Sequence, residues 1–304
     1  MSAPFAKSWA FDKGYFHHSN PSKPICVTLY DKCVMRVAIN NAWKVIQGET
    51  NGDVDAAWRV VKFYENQNAN MASGRITQTC SDLVLLEGHT FDAALRHGMS
   101  LLDQYKPRTW DDGKDERKLA VNRDEFADVL RNAIDGVEEA HRLAGLNRIE
   151  GESEIYVNLS GLELPYSGFP DYSKRIELKT KWSSATNTKS GKRSAPLPSK
   201  PDWNHVMQVA GYFAGTGLMQ TIVYARANDY VVFNSDNCET LSQAGLQSAL
   251  NYITAKCAIR ENLLKSTDSV EAMLRLVEPD FKHMWAWDYS PAVLNEAKKL
   301  WGFK

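Results

Sequence analysis

The spacing of apolar positions changes period near residue 150. Upstream it is helical. Residues 53–65, DVDAAWRVVKFYE, predict a helix with Asp53 at its N-cap. Leu86, Phe91, Ala94, Leu95, Met99 and Leu102 recur at roughly helical intervals and predict a helix over 83–105. Phe126, Val129, Leu130, Ala133, Ile134 and Val137 share one face of an amphipathic helix over 123–143. The first 50 residues are aromatic-rich and irregular, and His17-His18 read as loop. Downstream, short apolar runs punctuated by Gly161, Gly168 and Pro170 predict strand, turn, strand, turn, strand across 153–182. A stretch rich in Ser, Thr, Gly, Pro and Lys, 183–202, predicts a loop. A helix over 203–217 ends at glycine, a hairpin over 219–234 turns at Asn228-Asp229, and a long helix covers 241–265. Ser290-Pro291 opens a last helix.

This order predicts an α/β fold, a mixed central β-sheet flanked by helices with helical N- and C-terminal additions. The expected organisation is an N-terminal region 1–84 packed on a core 85–240, and a C-terminal helical region 241–304, in one compact unit.

Composition narrows the chemistry. A formal charge of −1 over 304 residues offers a polyanion no bulk attraction, so such affinity must come from local patches. Cys26, Cys33, Cys80, Cys238 and Cys257 are odd in number and contain no C-x-x-C pair. Reduced thiols are the expectation, without a disulfide framework, zinc ribbon or iron–sulfur cluster. No signal pattern and no membrane-spanning apolar run is seen, and the expected setting is cytoplasmic, with no membrane partner.

The stretch GFPDYSKRIELKTKW, 168–182, carries the candidate chemistry. Ile176 and Leu178 alternate with Glu177 and Lys179, which therefore point to the opposite strand face, about 7 Å apart at ~3.3 Å per residue. Asp171 precedes Glu177 across a short turn, and a hairpin brings the two alongside. Converging carboxylates repel unless one takes up a proton or a cation sits between them. Hard oxygen ligands favour Mg²⁺ or Mn²⁺. The Lys179 ammonium beside them suits a developing phosphate charge. By itself the trio fits either a solvated strand face or a metal-dependent phosphodiesterase. Glu152 or Glu154 is a further candidate for the same pocket. From 174 to 200, Lys174, Arg175, Lys179, Lys181, Lys189, Lys192, Arg193 and Lys200 face a single acid, Glu177, a composition suited to a nucleic-acid backbone. Gln208 and Tyr212 lie four apart on one face of the next helix.

Taken in order, D-x5-E-x-K, a loop, then Q-x3-Y on a helix resembles the PD-(D/E)XK nuclease superfamily, and most closely its RecB-type exonuclease branch. The resemblance covers about residues 85–235. It implies a restriction-endonuclease-like αβββαβ core, with Asp171, Glu177 and the Leu178 carbonyl as ligands of Mg²⁺ (or Mn²⁺) and Lys179 as the catalytic lysine. It implies that Gln208 and Tyr212 position the DNA or the active-site strand. The branch often adds an upstream metal-binding histidine; His97 is preferred to His89, and neither fits the spacing cleanly. Lys181, Lys189, Lys192, Arg193 and Lys200 are expected to track the DNA backbone. No G-x-x-x-x-G-K-[ST] motor motif accompanies them. The implied activity is exonucleolytic, on DNA with free ends, as in phage-type recombination, alongside a single-strand annealing or binding protein. An oligomer is compatible with it. An endonuclease of the same superfamily, or a non-catalytic DNA-binding relative, remains the alternative.

Overall fold

A computed structural model describes residues 15–16, 68–108, 111–162, 165–185, 192–266 and 291–303. The expected helix over 53–65, and Lys189, lie outside the described residues. Residues 67–157 and 168–250 form one compact unit; residues 1–66, 158–167 and 251–304 form another. The first unit takes in residues 67–84, upstream of the expected boundary at 84/85.

The first unit opens with three helices: α1 (Ala69–Leu85), α2 (Phe91–Gln104) and α3 (Lys114–Leu143). The single helix expected over 83–105 is two. Gly88 adopts φ 73°, and the Thr90 side chain caps α2 by accepting from the Ala93 N–H at 3.3 Å. A left-handed glycine followed by a threonine cap stops one helix and starts another, although the apolar spacing runs on across the break. Helix α3 begins nine residues before its expected start at 123. Its first turn is held by Asp115, which accepts from the Ala69 N–H (2.7 Å), the Tyr105 hydroxyl (2.7 Å) and the Arg108 N–H (3.1 Å). This buried carboxylate thus caps α1 and fixes the end of α2 at the same point.

The strands of the central sheet are β4 (Ile176–Thr180), β7 (Thr221–Arg226) and β8 (Asp229–Phe233). Their order is β4-β7-β8, with β4 parallel and β8 antiparallel to β7. The earlier strands are β1 (Tyr15–Phe16), β2 (Ile155–Val157) and β3 (Tyr166–Gly168); β1 pairs parallel with β3 in the second unit. The parallel connection from β4 to β7 runs through helix α4 (Trp203–Thr216), as such pairings require. Asp202 caps its start, and Gly217 at φ 70° ends it as its position predicts.

One sheet face carries the core. Ile176, Leu178, Val223, Ala225 and Val232 pack on Ala133, Val137 and Ala140 of α3. Gly136 permits this approach, since a Cβ there would stand 2.6 Å from Val223 Cγ1. A second cluster, centred on Phe126, Leu130 and Leu102, joins α1, α2 and α3. The central sheet is therefore a small mixed one flanked by helices, an α/β arrangement.

Two expectations shift. The loop expected over 183–202 holds two short antiparallel strands, β5 (Ser184–Ala185) and β6 (Lys192–Arg193). The hairpin turn falls at Ala227-Asn228, one residue early, with Arg226 opposite Asp229. Helices α5 (Gln243–Ser266) and α6 (Pro291–Leu300) follow. No helix among the described residues is long and apolar enough to cross a membrane.

Candidate functional site

Alternation along β4 sends Ile176 and Leu178 into the α3 core and Glu177 and Lys179 to the other face. That face meets α4. Asp171 reaches the same point through a turn. Tyr172 and Ile176 exchange two backbone hydrogen bonds, at 3.0 and 2.9 Å, across Ser173, Lys174 and Arg175, and the Arg175 N–H also donates to the Tyr172 carbonyl at 3.0 Å, closing a four-residue turn. Ser173 and Lys174, the central residues of that turn, sit at φ 49° and 60°. Positive φ at both is the type I′ signature, which favours Asn and Gly; Ser and Lys hold it at a cost. The Ser173 N–H donates to the Glu150 carbonyl (2.9 Å) and its hydroxyl accepts from the Glu150 N–H (3.0 Å), pinning the strained turn.

Asp171 and Glu177 are both buried, at 8% and 2% exposure. Asp171 Oδ2 accepts from the Leu178 N–H at 2.8 Å, and its Oδ1 accepts from Gln78 Nε2 of α1 at 3.0 Å. Glu177 Oε1 accepts from Lys179 Nζ and from Gln208 Nε2, the latter at 2.5 Å. The Gln208 amide also donates to the Tyr212 hydroxyl (2.8 Å), which donates in turn to the Phe169 carbonyl (3.1 Å). Among the described residues, Glu177 Oε2 is buried without a hydrogen-bond partner.

Burial, and then the Glu177 charge, hold the Asp171 carboxyl well above the usual carboxylate range. Burial raises Glu177 too, against the pull of Lys179, Gln208 and Tyr212. Desolvation works against the Lys179 ammonium, but the two carboxylates outweigh it and raise its pKa. The cluster is thus short of positive charge, with one carboxylate oxygen unsatisfied.

Five of the residues singled out in the sequence, Asp171, Glu177, Lys179, Gln208 and Tyr212, form this single network. His97 is exposed on α2 and the structure does not gather it with Asp171 and Glu177. His89 is exposed beside Glu87, at 3.4 Å. Among the described residues no three His, Cys, Asp or Glu side chains converge as a metal cage. Glu152 is exposed, but its charge acts on Asp171; Glu154 instead meets Tyr156. Of the basic residues, Lys181 lies over the Tyr224 ring, 5.4 Å from its centroid, while Arg193 and Lys200 are exposed. Lys192 lies in β6.

Three residues of the site were not singled out in the sequence. Gln78 sits one position beyond Thr77, on a helix whose small buried positions Ser73, Thr77 and Ser81 recur every four residues. Gly74 brings α1 close to β4, since a Cβ there would lie 3.0 Å from Thr180 Oγ1. His205 and Tyr224 bond each other at 2.7 Å. His205 lies three residues before Gln208 on α4, a spacing that places both on one helix face, and this was the one available signal.

Comparison with protein-family models, with curated proteins and with solved structures found no match to this chain.

Proposed function

We propose that this chain is a metal-dependent deoxyribonuclease of the PD-(D/E)XK type, acting on DNA ends. The observation that carries the reading is the Glu177 Oε2 atom, buried beside a second buried carboxylate and, among the described residues, without a hydrogen-bond partner. An orphaned anionic oxygen in such a place needs a cation or a proton. The donor set fits Mg²⁺: two carboxylates, Asp171 and Glu177, with the Leu178 carbonyl as a third oxygen and water filling the rest. Mn²⁺ fits the same oxygens. A bound Mg²⁺ of this kind lowers the pKa of a coordinated water and neutralises charge on a phosphate.

The chain's own residues have separable tasks in this reading. Gln208 and Lys179 hold Glu177 through Oε1 and leave Oε2 as the oxygen that would take a cation. Tyr212 fixes Gln208. Gln78 and the Leu178 N–H orient Asp171. The Lys179 ammonium, 23% exposed, faces the phosphate and aligns the attacking water. Lys181 and the exposed Arg193 and Lys200 meet the strand's other phosphates. The preference for ends, and the coupling to a single-strand annealing protein, rest on the sequence resemblance.

The test is an end-labelled linear duplex against a covalently closed circle, each with Mg²⁺ or EDTA, for wild type and Lys179→Ala. Mg²⁺-dependent loss of the linear DNA alone, abolished in the variant, is the expected result. Cutting of the circle would replace the exonuclease by an endonuclease. DNA binding without cleavage of either would leave a nuclease-like binding protein.

A further inference from the structure

Beside the carboxylates lies a second polar group that the reading above does not use. Tyr224 is the register partner of Lys179 on the neighbouring strand, so the two side chains leave the sheet on the same face. Its hydroxyl accepts from the Asp202 N–H at 3.0 Å and lies 2.7 Å from His205 Nδ1. His205 stands on α4 in line with Gln208 and Tyr212, three and seven positions on. Lys181 Nζ covers the Tyr224 ring.

These contacts favour one placement of the protons. The phenol carries its proton, since its pKa is pushed up to about 12, chiefly by burial. If Nδ1–H donated to the hydroxyl, the phenolic proton would be left without an acceptor among the described residues. The hydroxyl therefore donates to Nδ1, and the ring proton sits on Nε2. An imidazolium would break this arrangement by placing a second proton on Nδ1. Every charged group facing the ring agrees in sum: burial first, then the ammonium of Lys179, and also that of Lys181, bring His205 down to about 3 against the opposing pull of Asp202. Among the described residues Nε2–H meets no acceptor.

A neutral donor under the influence of two ammonium groups suits an anion that accepts hydrogen bonds without donating. A phosphodiester is such a group, and it accepts from a neutral N–H without the mutual repulsion a third cation would bring. We propose that His205 is a substrate-binding residue whose neutral Nε2–H donates to a non-bridging phosphate oxygen of the DNA strand lying beside Lys179 and Lys181. Tyr224 and Asp202 are its positioning residues. The proposal deepens the nuclease reading and rests on it for the identity of the strand, but its test does not depend on cleavage.

The test uses the full chain with His205→Ala, His205→Gln and Tyr224→Phe. A fluorescein-labelled duplex is titrated in Ca²⁺ and in EDTA from pH 5 to 8, and cleavage is followed in Mg²⁺. Loss of one donor to a charged group predicts about tenfold weaker binding and a similar loss in kcat/KM for His205→Ala. His205→Gln, which keeps an N–H, recovers most of both, and Tyr224→Phe falls between. The ratio of wild-type to His205→Ala affinity stays constant from pH 8 to 5, because the group is neutral throughout. A ratio that grows as pH falls through ~6.5, the ordinary histidine range, overturns the neutral donor. So does a ratio below twofold, or failure of Gln to rescue a variant whose urea midpoint matches wild type. If the protein binds DNA but cleaves nothing with Mg²⁺ or Mn²⁺, the nuclease reading falls and the affinity ratios still decide the role of His205. If it binds no DNA, both are overturned.

Discussion

Asp171→Asn separates a cation-holding carboxylate from a structural hydrogen-bond acceptor, because the two roles predict opposite signs. In the metal-free protein Asp171 and Glu177 are buried near each other with one ammonium between two charges. At a separation of ~5 Å and an effective dielectric of ~20, two such charges repel by about 3 kcal/mol. Asn removes that repulsion. It keeps an oxygen for the Leu178 N–H and, after an amide flip of Gln78, a donor for α1. What it loses is the charge assistance of two hydrogen bonds, about 1 kcal/mol each, while the Lys179 attraction it also loses is outweighed by the burial cost of the charge it sheds, the largest cause of the raised Asp171 pKa. The net is a variant about 1 kcal/mol more stable than wild type in EDTA at pH 7.5. Linkage fixes the pH dependence. A carboxyl whose folded pKa is raised holds its proton in the native state after the unfolded chain has lost it, so wild-type stability falls as pH rises from about 4 through the raised pKa. The advantage of Asn should therefore shrink at pH 5. Equilibrium urea unfolding followed by tryptophan fluorescence reads both numbers, and Mg²⁺ should raise the wild-type midpoint while leaving that of Asp171→Asn unmoved. Destabilisation of the variant by 1 kcal/mol or more in EDTA would refute the reasoning and make Asp171 a fold-holding acceptor.

Three other perturbations test separate parts of the account. Lys179→Ala should lower the cleavage rate by ~10²-fold or more with DNA affinity reduced only a few-fold, as single-turnover kinetics and a binding isotherm would read; equal losses in both would make it a binding lysine only. Lys174→Gly should stabilise the protein by about 0.5 kcal/mol, because Lys174 is exposed at φ 60° and the relief of left-handed strain exceeds the added backbone entropy; a lower urea midpoint would contradict it. Gly98→Ala should cost about 1–3 kcal/mol, since its Cβ would stand 2.4 Å from the Phe126 ring and 2.8 Å from Cys80 Sγ, and a midpoint within error of wild type would refute that packing.

Where periodicity met burial on one face, the sequence was legible. The Phe126-to-Val137 stripe of α3 and the alternation of β4 led to the right elements and the right faces. Motif spacing led to five side chains that the fold brings into one network. Other features depend on contacts that no local pattern encodes. The early start of α3 lies in a polar stretch and is held by Asp115 across three segments. The break between α1 and α2 depends on two residues, Gly88 and Thr90, that an apolar count passes over. Gln78 and Tyr224 matter only through a helix crossing and a strand register.

The two faces of β4 divide the costs of the molecule. The α3 side is apolar and close-packed and supplies stability. Three disfavoured features lie around the opposite side: two buried carboxylates, a Glu177 oxygen unpartnered among the described residues, and a type I′ turn built from Ser and Lys. A sequence selected for stability alone would place Asn-Gly in that turn and an apolar residue at 177. Each departure has the same geometric effect, since the turn sets Asp171 beside Glu177 and the Lys179 and Gln208 bonds leave Oε2 free. Strain and unsatisfied groups that converge on one point are the physical mark of a site built to hold something the polypeptide does not supply. For a pair of buried carboxylates whose pKa values are both raised, that something is a proton or, in the nuclease reading proposed above, a cation.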